Sequence, residues 1–170
     1  MQMSSRELNR FIIESNAIEG ITRMPLQDEI DAHTALLDAG RITLETIQDF
    51  IYAIAGQGAR LRVSPKDCVR VGNHIPPAGG QHIAYSLQNM LDALNADPAS
   101  IRPYEFHCAY LTLHPFMDGN GRSARAIYAW HSDRLAYSGY IMRGFLHQVY
   151  YDGLNAYDGR AANTKGATNG

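Results

Sequence analysis

Cysteine is nearly absent from this 170-residue chain: Cys68 and Cys108 stand forty residues apart, outside any Cys-x-x-Cys or Cys/His zinc spacing. Neither a disulfide scaffold nor a structural zinc site is indicated, and two buried thiols are the expectation. No charge of either sign dominates, since fifteen Lys and Arg against seventeen Asp and Glu leave a formal −2. A global field able to hold nucleic acid is thereby absent, and only a local basic pocket stays open. No apolar run approaches the ~18 residues needed to span a bilayer, and the opening MQMSSRELNR is too polar for a secretory core. These absences point to a cytoplasmic chain with no membrane partner.

Apolar material is present in ordinary amount, 45% against 19% charged residues, enough to bury one core at this length. The chain reads as one mainly α-helical domain over residues 1–152, with residues 153–170 as a frayed tail lacking an apolar anchor. Leu8, Phe11, Ile12, Ala17 and Ile18 recur at helical spacing in residues 5–18, as do Leu26, Ile30, His33, Leu36 and Leu37 before Gly40. Thr43 caps a third helix ending near Ala55, residues 81–94 carry a fourth, and Pro103 opens a fifth. A further helix follows residue 121, and a short last one is expected over 141–151. Between the third and fourth helices, residues 58–77 hold β-leaning pieces around Leu61 and around Val69-Arg70-Val71-Gly72, which predict a small hairpin.

Within residues 114–125, HPFMDGNGRSAR, two glycines and an asparagine interrupt the helical pattern for less than a turn. Gly119, Asn120 and Gly121 allow backbone conformations in which successive N–H groups converge on a phosphate at a helix start. Arg122 and Arg125 lie three apart, on adjoining positions of the helix that follows, where two guanidinium groups can grip different phosphoryl oxygens. Cations there oppose the helix dipole by about 0.3–1 kcal/mol each, so the arrangement calls for an anion to balance it. Asp118 is suited to hold Mg²⁺ by one oxygen while phosphates and water complete the shell, and His114 has the chemistry of a general base.

Taken together these twelve residues resemble the signature of the Fic (filamentation induced by cAMP) domain family, HxFx(D/E)GNGRxxR, at every specified position. The resemblance implies a helical Fic domain with a hairpin flap, and a protein adenylyltransferase that moves AMP from ATP to a Tyr, Thr or Ser hydroxyl. By the same resemblance His114 removes the hydroxyl proton, Asp118 holds Mg²⁺ on the α- and β-phosphates, and Gly119, Asn120 and Gly121 cradle phosphates. Arg122 and Arg125 then bind the β- and γ-phosphoryl groups, while Val69, Arg70, Val71 and Gly72 of the flap align the target's backbone.

Ser15 to Gly20, SNAIEG, is similar to the family's inhibitory motif (S/T)xxxE(G/N), here on an N-terminal helix over about 5–20. The implied arrangement has Glu19, one turn from Ser15, reaching Arg125 and filling the space of the ATP γ-phosphate. Gly121 speaks against a phosphotransferase branch that carries Lys there. UMP transfer, removal of AMP, and a non-enzymatic nucleotide-regulated interaction module are the alternatives left open. So are the protein substrate, self-modification and homo-oligomers.

Overall fold

The computed structural model of the chain describes residues 3–72 and 74–135. Six α-helices occupy them: α1 (Ser5–Ile18), α2 (Gln27–Asp38), α3 (Leu44–Ala55), α4 (Gln81–Ala96), α5 (Pro103–Leu113) and α6 (Asn120–Arg134), with a short 3-10 turn at Pro98–Ser100. The helix expected over 141–151 and the tail at 153–170 lie outside the described residues.

The helix starts follow local chemistry. Ser4 and Glu7 satisfy each other's backbone N–H groups at the head of α1, in a reciprocal capping box. Thr43 accepts from the Thr46 N–H at 3.1 Å to start α3, and Pro103 needs no hydrogen bond at the first position of α5. The α6 helix is buried on nearly every side. Ser123, Ala124, Ala126 and Ala129 are small enough for α1, α2, α3 and α5 to approach it closely, while Ile127 and Trp130 fill the wider gaps. Phe50, Ile51, Leu87, Leu91, Phe106, Tyr110 and Phe116 complete the main core around it, and Phe11 and Ile12 dock α1 beside Ala129. The N-terminus of α6, where both arginines sit, is therefore held by the most buried element of the described fold.

The hairpin expected within residues 58–77 is present in minimal form, as the antiparallel pairing of Val71 with His74, and the expectation for one thiol is corrected. The β-leaning pieces of residues 58–77 do not pair with one another. Leu61 pairs instead with Phe116 in the loop before α6, and the rest reduces to one tight turn in which Val71 and His74 exchange backbone hydrogen bonds at 3.0 and 2.9 Å. Pairing with the loop satisfies backbone groups on both sides, whereas Pro65, Pro76 and Pro77 deny a long hairpin its ladder. Of the two thiols expected to be buried, only Cys108 is; Cys68 is exposed on the irregular stretch before the tight turn.

Several histidines are buried and uncharged. Burial pushes His33 and His107 down to about 4, with His33 Nδ1 held 2.6 Å from the Glu29 carbonyl between Phe11 and Phe50. Each has a folded pKa below its unfolded value near 6.5, so the stability from keeping it neutral is complete above pH 6.5 and is lost as pH falls toward 4. Thermal unfolding followed from pH 7.5 to 4.5 is expected to show this loss, on the order of 1–3 kcal/mol per histidine. His33→Phe, which fits an aromatic setting, is expected to flatten the profile over that window.

Candidate active site

The chain leaves α5 through His114, the one non-glycine residue with positive φ among the described residues (φ 49). It then crosses a five-residue loop and enters α6 at Asn120. The loop is braced from within. Asn120 uses both ends of its amide on one residue, accepting from the Phe116 N–H at 2.9 Å and donating to the Phe116 carbonyl at 2.8 Å. Asp118 accepts from the Gly119 N–H at 2.6 Å. Gly119 has φ 78, and a Cβ there would lie 3.0 Å from Ile51 Cδ1, so glycine is required by both backbone and space.

Each sequence-derived site residue can now be placed. Burial is the main reason that His114 falls to about 4, aided by the nearby Arg62 and His74. A backbone hydrogen bond to Leu111 works against that shift and fixes the ring's donor, leaving the other nitrogen with its lone pair. The imidazole is thus neutral at physiological pH, the form a base requires. Arg122 is 6% exposed; its Nη1 donates to the Ile54 carbonyl at 2.6 Å, while its Nε has no partner among the described residues. A buried cation with an idle donor at a helix N-terminus is built to receive an anion.

Arg125, 1% exposed, faces α1. Its Nε donates to Ser15 Oγ at 2.9 Å, and its Nη2 donates to the Ser15 carbonyl at 3.0 Å and to Glu19 Oε1 at 2.7 Å. Glu19 lies directly over the first turn of α6, since a Cβ on Gly121 would come within 2.2 Å of Glu19 Oε1. The two motifs are therefore joined in space across more than one hundred residues of chain.

Asp118 is exposed at the loop's outer edge, with one oxygen engaged by Gly119. No three His, Cys, Asp or Glu side chains converge to hold a metal among the described residues. That donor set suits Mg²⁺, which takes one or two carboxylates and completes its shell with water and phosphate, and does not suit an all-protein metal cage. On the flap, Val71 and Ile75 are exposed apolar side chains, Arg70 is exposed, and Gly72 turns the chain with φ 57.

Several site residues escape sequence reasoning. Asn16, at the end of α1, donates to Glu29 Oε1 at 3.3 Å; Glu29 also takes Arg23 at 2.6 Å and the Leu26 N–H at 2.8 Å. This cluster, with Glu29 buried and Arg23 half-exposed, fastens the Ser15–Glu19 end of α1 to the start of α2. Its only sequence signal is an acid three residues after Leu26, which reads as an ordinary helix cap. Arg62, whose guanidinium contacts the end of α5, gives no signal at all.

Comparison with known proteins places this geometry. The Fic/DOC family profile matches residues 32–131. The chain is 30% identical over 105 residues to a protein adenylyltransferase Fic of Drosophila willistoni, covering 56% of this chain and 20% of that protein. It is 33% identical over 96 residues to one of Nematostella vectensis, covering 51% and 21%. It thus spans about a fifth of the length of these curated relatives. Among solved structures, Fic-1 from C. elegans superposes with a TM-score of 0.67 at 21% identity over 93% of this chain and 59% of that one. A Fic domain containing signaling protein from Bacteroides thetaiotaomicron gives 0.63 at 19% over 89% and 72%. Those two share the fold, and with more than half its length matched by the family profile, this chain belongs to the Fic/DOC family.

Proposed function

We propose that the chain is a protein adenylyltransferase, transferring AMP from ATP to a hydroxyl of a Tyr, Thr or Ser side chain and restrained by its own Glu19. The observation that carries this reading is one short loop with a neutral His114 at its α5 end and, at its α6 end, two buried arginines, one of which holds Glu19. The curated relatives named above as protein adenylyltransferases support the same activity.

In this reading the α6 N-terminus and Arg122 receive phosphoryl oxygens, because charge-assisted bonds from a fixed guanidinium and aligned N–H groups cost little reorganisation. Asn120 contributes by clamping the loop through Phe116, so the phosphates meet mainly backbone N–H groups. His114 takes the proton from the target hydroxyl as its oxygen attacks the α-phosphorus, and pyrophosphate leaves with the electrons of the broken P–O bond. Asp118 would hold Mg²⁺ by one carboxylate oxygen, and the ion would supply charge neutralisation on the nucleotide. Glu19 competes with the γ-phosphate for Arg125, so that ATP is bound without an in-line arrangement. The exposed Val71 turn offers main chain and apolar surface to an extended target segment.

The test is to incubate the Glu19→Gly chain with a cell lysate and ATP labelled on either the α- or the γ-phosphate, with CTP, GTP and UTP in parallel. Label from the α-position of ATP alone is expected on protein. Label from the γ-position would indicate phosphotransfer, and preferential label from UTP would indicate UMP transfer. Asp118→Ala is expected to lose Mg²⁺-dependent transfer while nucleotide still binds weakly; undiminished transfer would remove Asp118 from the metal role.

A further inference from the structure

Arg62 is fully buried, and its guanidinium ends on four backbone carbonyls. Its Nε donates to the His114 carbonyl at 2.6 Å and its Nη2 to that of Leu113 at 3.0 Å. Its Nη1 donates to the Asp67 and Pro77 carbonyls, both at 2.9 Å. The first two acceptors lie at the C-terminal end of α5, where helix carbonyls run out of partners and the dipole is negative. The other two belong to the flap. The backbone of Arg62 repeats the connection: its N–H donates to the Pro115 carbonyl at 2.9 Å, and its own carbonyl accepts from the Gly80 N–H at 3.0 Å.

We propose that Arg62 is a positioning residue for transfer, holding the His114 backbone in its left-handed turn and fixing the flap to that turn, so that base and target-docking edge are set as one unit. The inference rests on the reading of His114 as the base. A left-handed conformation is unfavourable for a residue with a Cβ and persists only where the surroundings over-determine it. Arg62 supplies that constraint at the carbonyl immediately following the strained φ. The side chains that bear on the imidazole are those of Arg62, His74 and Glu19, and the Arg62 guanidinium favours its neutral form.

Arginine is required by the geometry. A lysine ammonium carries three donors on one atom and cannot span acceptors on α5 and on both ends of the flap, while glutamine offers two donors and no charge. Arg60 braces the same unit from outside: its guanidinium takes both oxygens of Asp67 at 2.7 Å, and it is half-exposed. Asp67 is thereby held so that its carbonyl faces Arg62.

The test uses the full chain in the Glu19→Gly background, with Arg62→Lys and Arg62→Gln. Three quantities are read: label transferred from α-labelled ATP at saturating nucleotide, affinity for a non-hydrolysable ATP analogue, and the ring resonances of His114 in ¹³C-histidine protein, assigned with His114→Asn. Transfer is expected to fall about 10- to 100-fold in Arg62→Gln and less in Arg62→Lys, with displaced His114 resonances and analogue affinity kept within about threefold. Unchanged transfer would overturn the proposal, as would unmoved resonances, or analogue binding lost in step with transfer, which would make Arg62 a part of the fold only. A Glu19→Gly parent that transfers no label would instead count against the base reading, and the His114 resonances would still decide whether Arg62 sets that residue. Should the Arg62 variants not fold, Arg60→Gln is expected to move the same resonances in the same direction by less, and no movement there would overturn the proposal.

Discussion

Replacing His114 with Asn in the Glu19→Gly background is expected to lower transfer by about 10²–10⁴-fold while leaving nucleotide affinity and thermal stability close to the parent's. Asparagine is chosen because residue 114 has φ 49, a conformation in which Asn is tolerated and Ala is strained by about 1 kcal/mol. The deletion therefore removes the imidazole with little disturbance of the turn that Arg62 fixes. A protein hydroxyl is a weak nucleophile at neutral pH, and no other neutral imidazole occupies the loop. Of the neighbours, His74 is tied to the Thr112 carbonyl at 3.1 Å, and His107 is packed between Tyr104 and Tyr128. Because burial holds His114 at about 4, the base is neutral across the physiological range, and the acid limb of the parent's rate profile is expected near pH 4 to 5 instead of 6.5. Single-turnover transfer with saturating ATP measures the step directly. Retention of more than a tenth of the parent rate in His114→Asn would assign proton removal elsewhere.

The parts of this molecule legible in the sequence are those whose cause is local. Helix starts at Thr43 and Pro103 depend on side chains within three residues, and the apolar spacing of α3 and α4 needs only the helical repeat. The loop before α6 was legible because its chemistry is contiguous: base, carboxylate, glycines and arginines fall within twelve residues. The reach of Glu19 to Arg125 follows from family resemblance and not from spacing, and the bonds of Ser15 to Arg125 are legible in neither. What stayed hidden is what depends on backbone acceptors far along the chain. Arg62 sits between Leu61 and Val63 and reads as part of a strand, yet its four acceptors lie up to fifty-two residues away. Carbonyls belong to every residue, so they leave no compositional trace. The same holds for Asn120, whose amide looks available to phosphate in the sequence but is committed to Phe116.

The second large effect is expected from Glu19 and Arg125 acting on one phosphate. Glu19→Gly removes a 2.7 Å charge-assisted bond to Arg125, and a bond of that kind is worth about 1.5–3 kcal/mol, so productive ATP engagement should rise on the order of 10- to 100-fold. The change leaves Arg125 bonded to the Ser15 hydroxyl and carbonyl, and Glu19 is the more exposed partner at 35% against 1%. The fold should therefore survive, with the guanidinium still aimed but one donor released for the γ-phosphate. Arg125→Ala in the wild-type chain should lower productive binding, and adding Glu19→Gly to it should yield little further gain, because the carboxylate then has no guanidinium to withhold. Groups that share one interaction are non-additive by the coupling between them. The measurement is a cycle of four proteins at fixed Mg²⁺, with transfer and nucleotide affinity read for each and thermal unfolding confirming that all four fold. If Glu19→Gly activates by the same factor with and without Arg125, Glu19 restrains the site by its bulk above Gly121, where its Oε1 lies 2.2 Å from where a Cβ would stand, and not by holding the arginine. Glu19→Gln then separates the two causes: it keeps the bulk and removes the charge, so activation close to that of Glu19→Gly assigns the restraint to the ion pair.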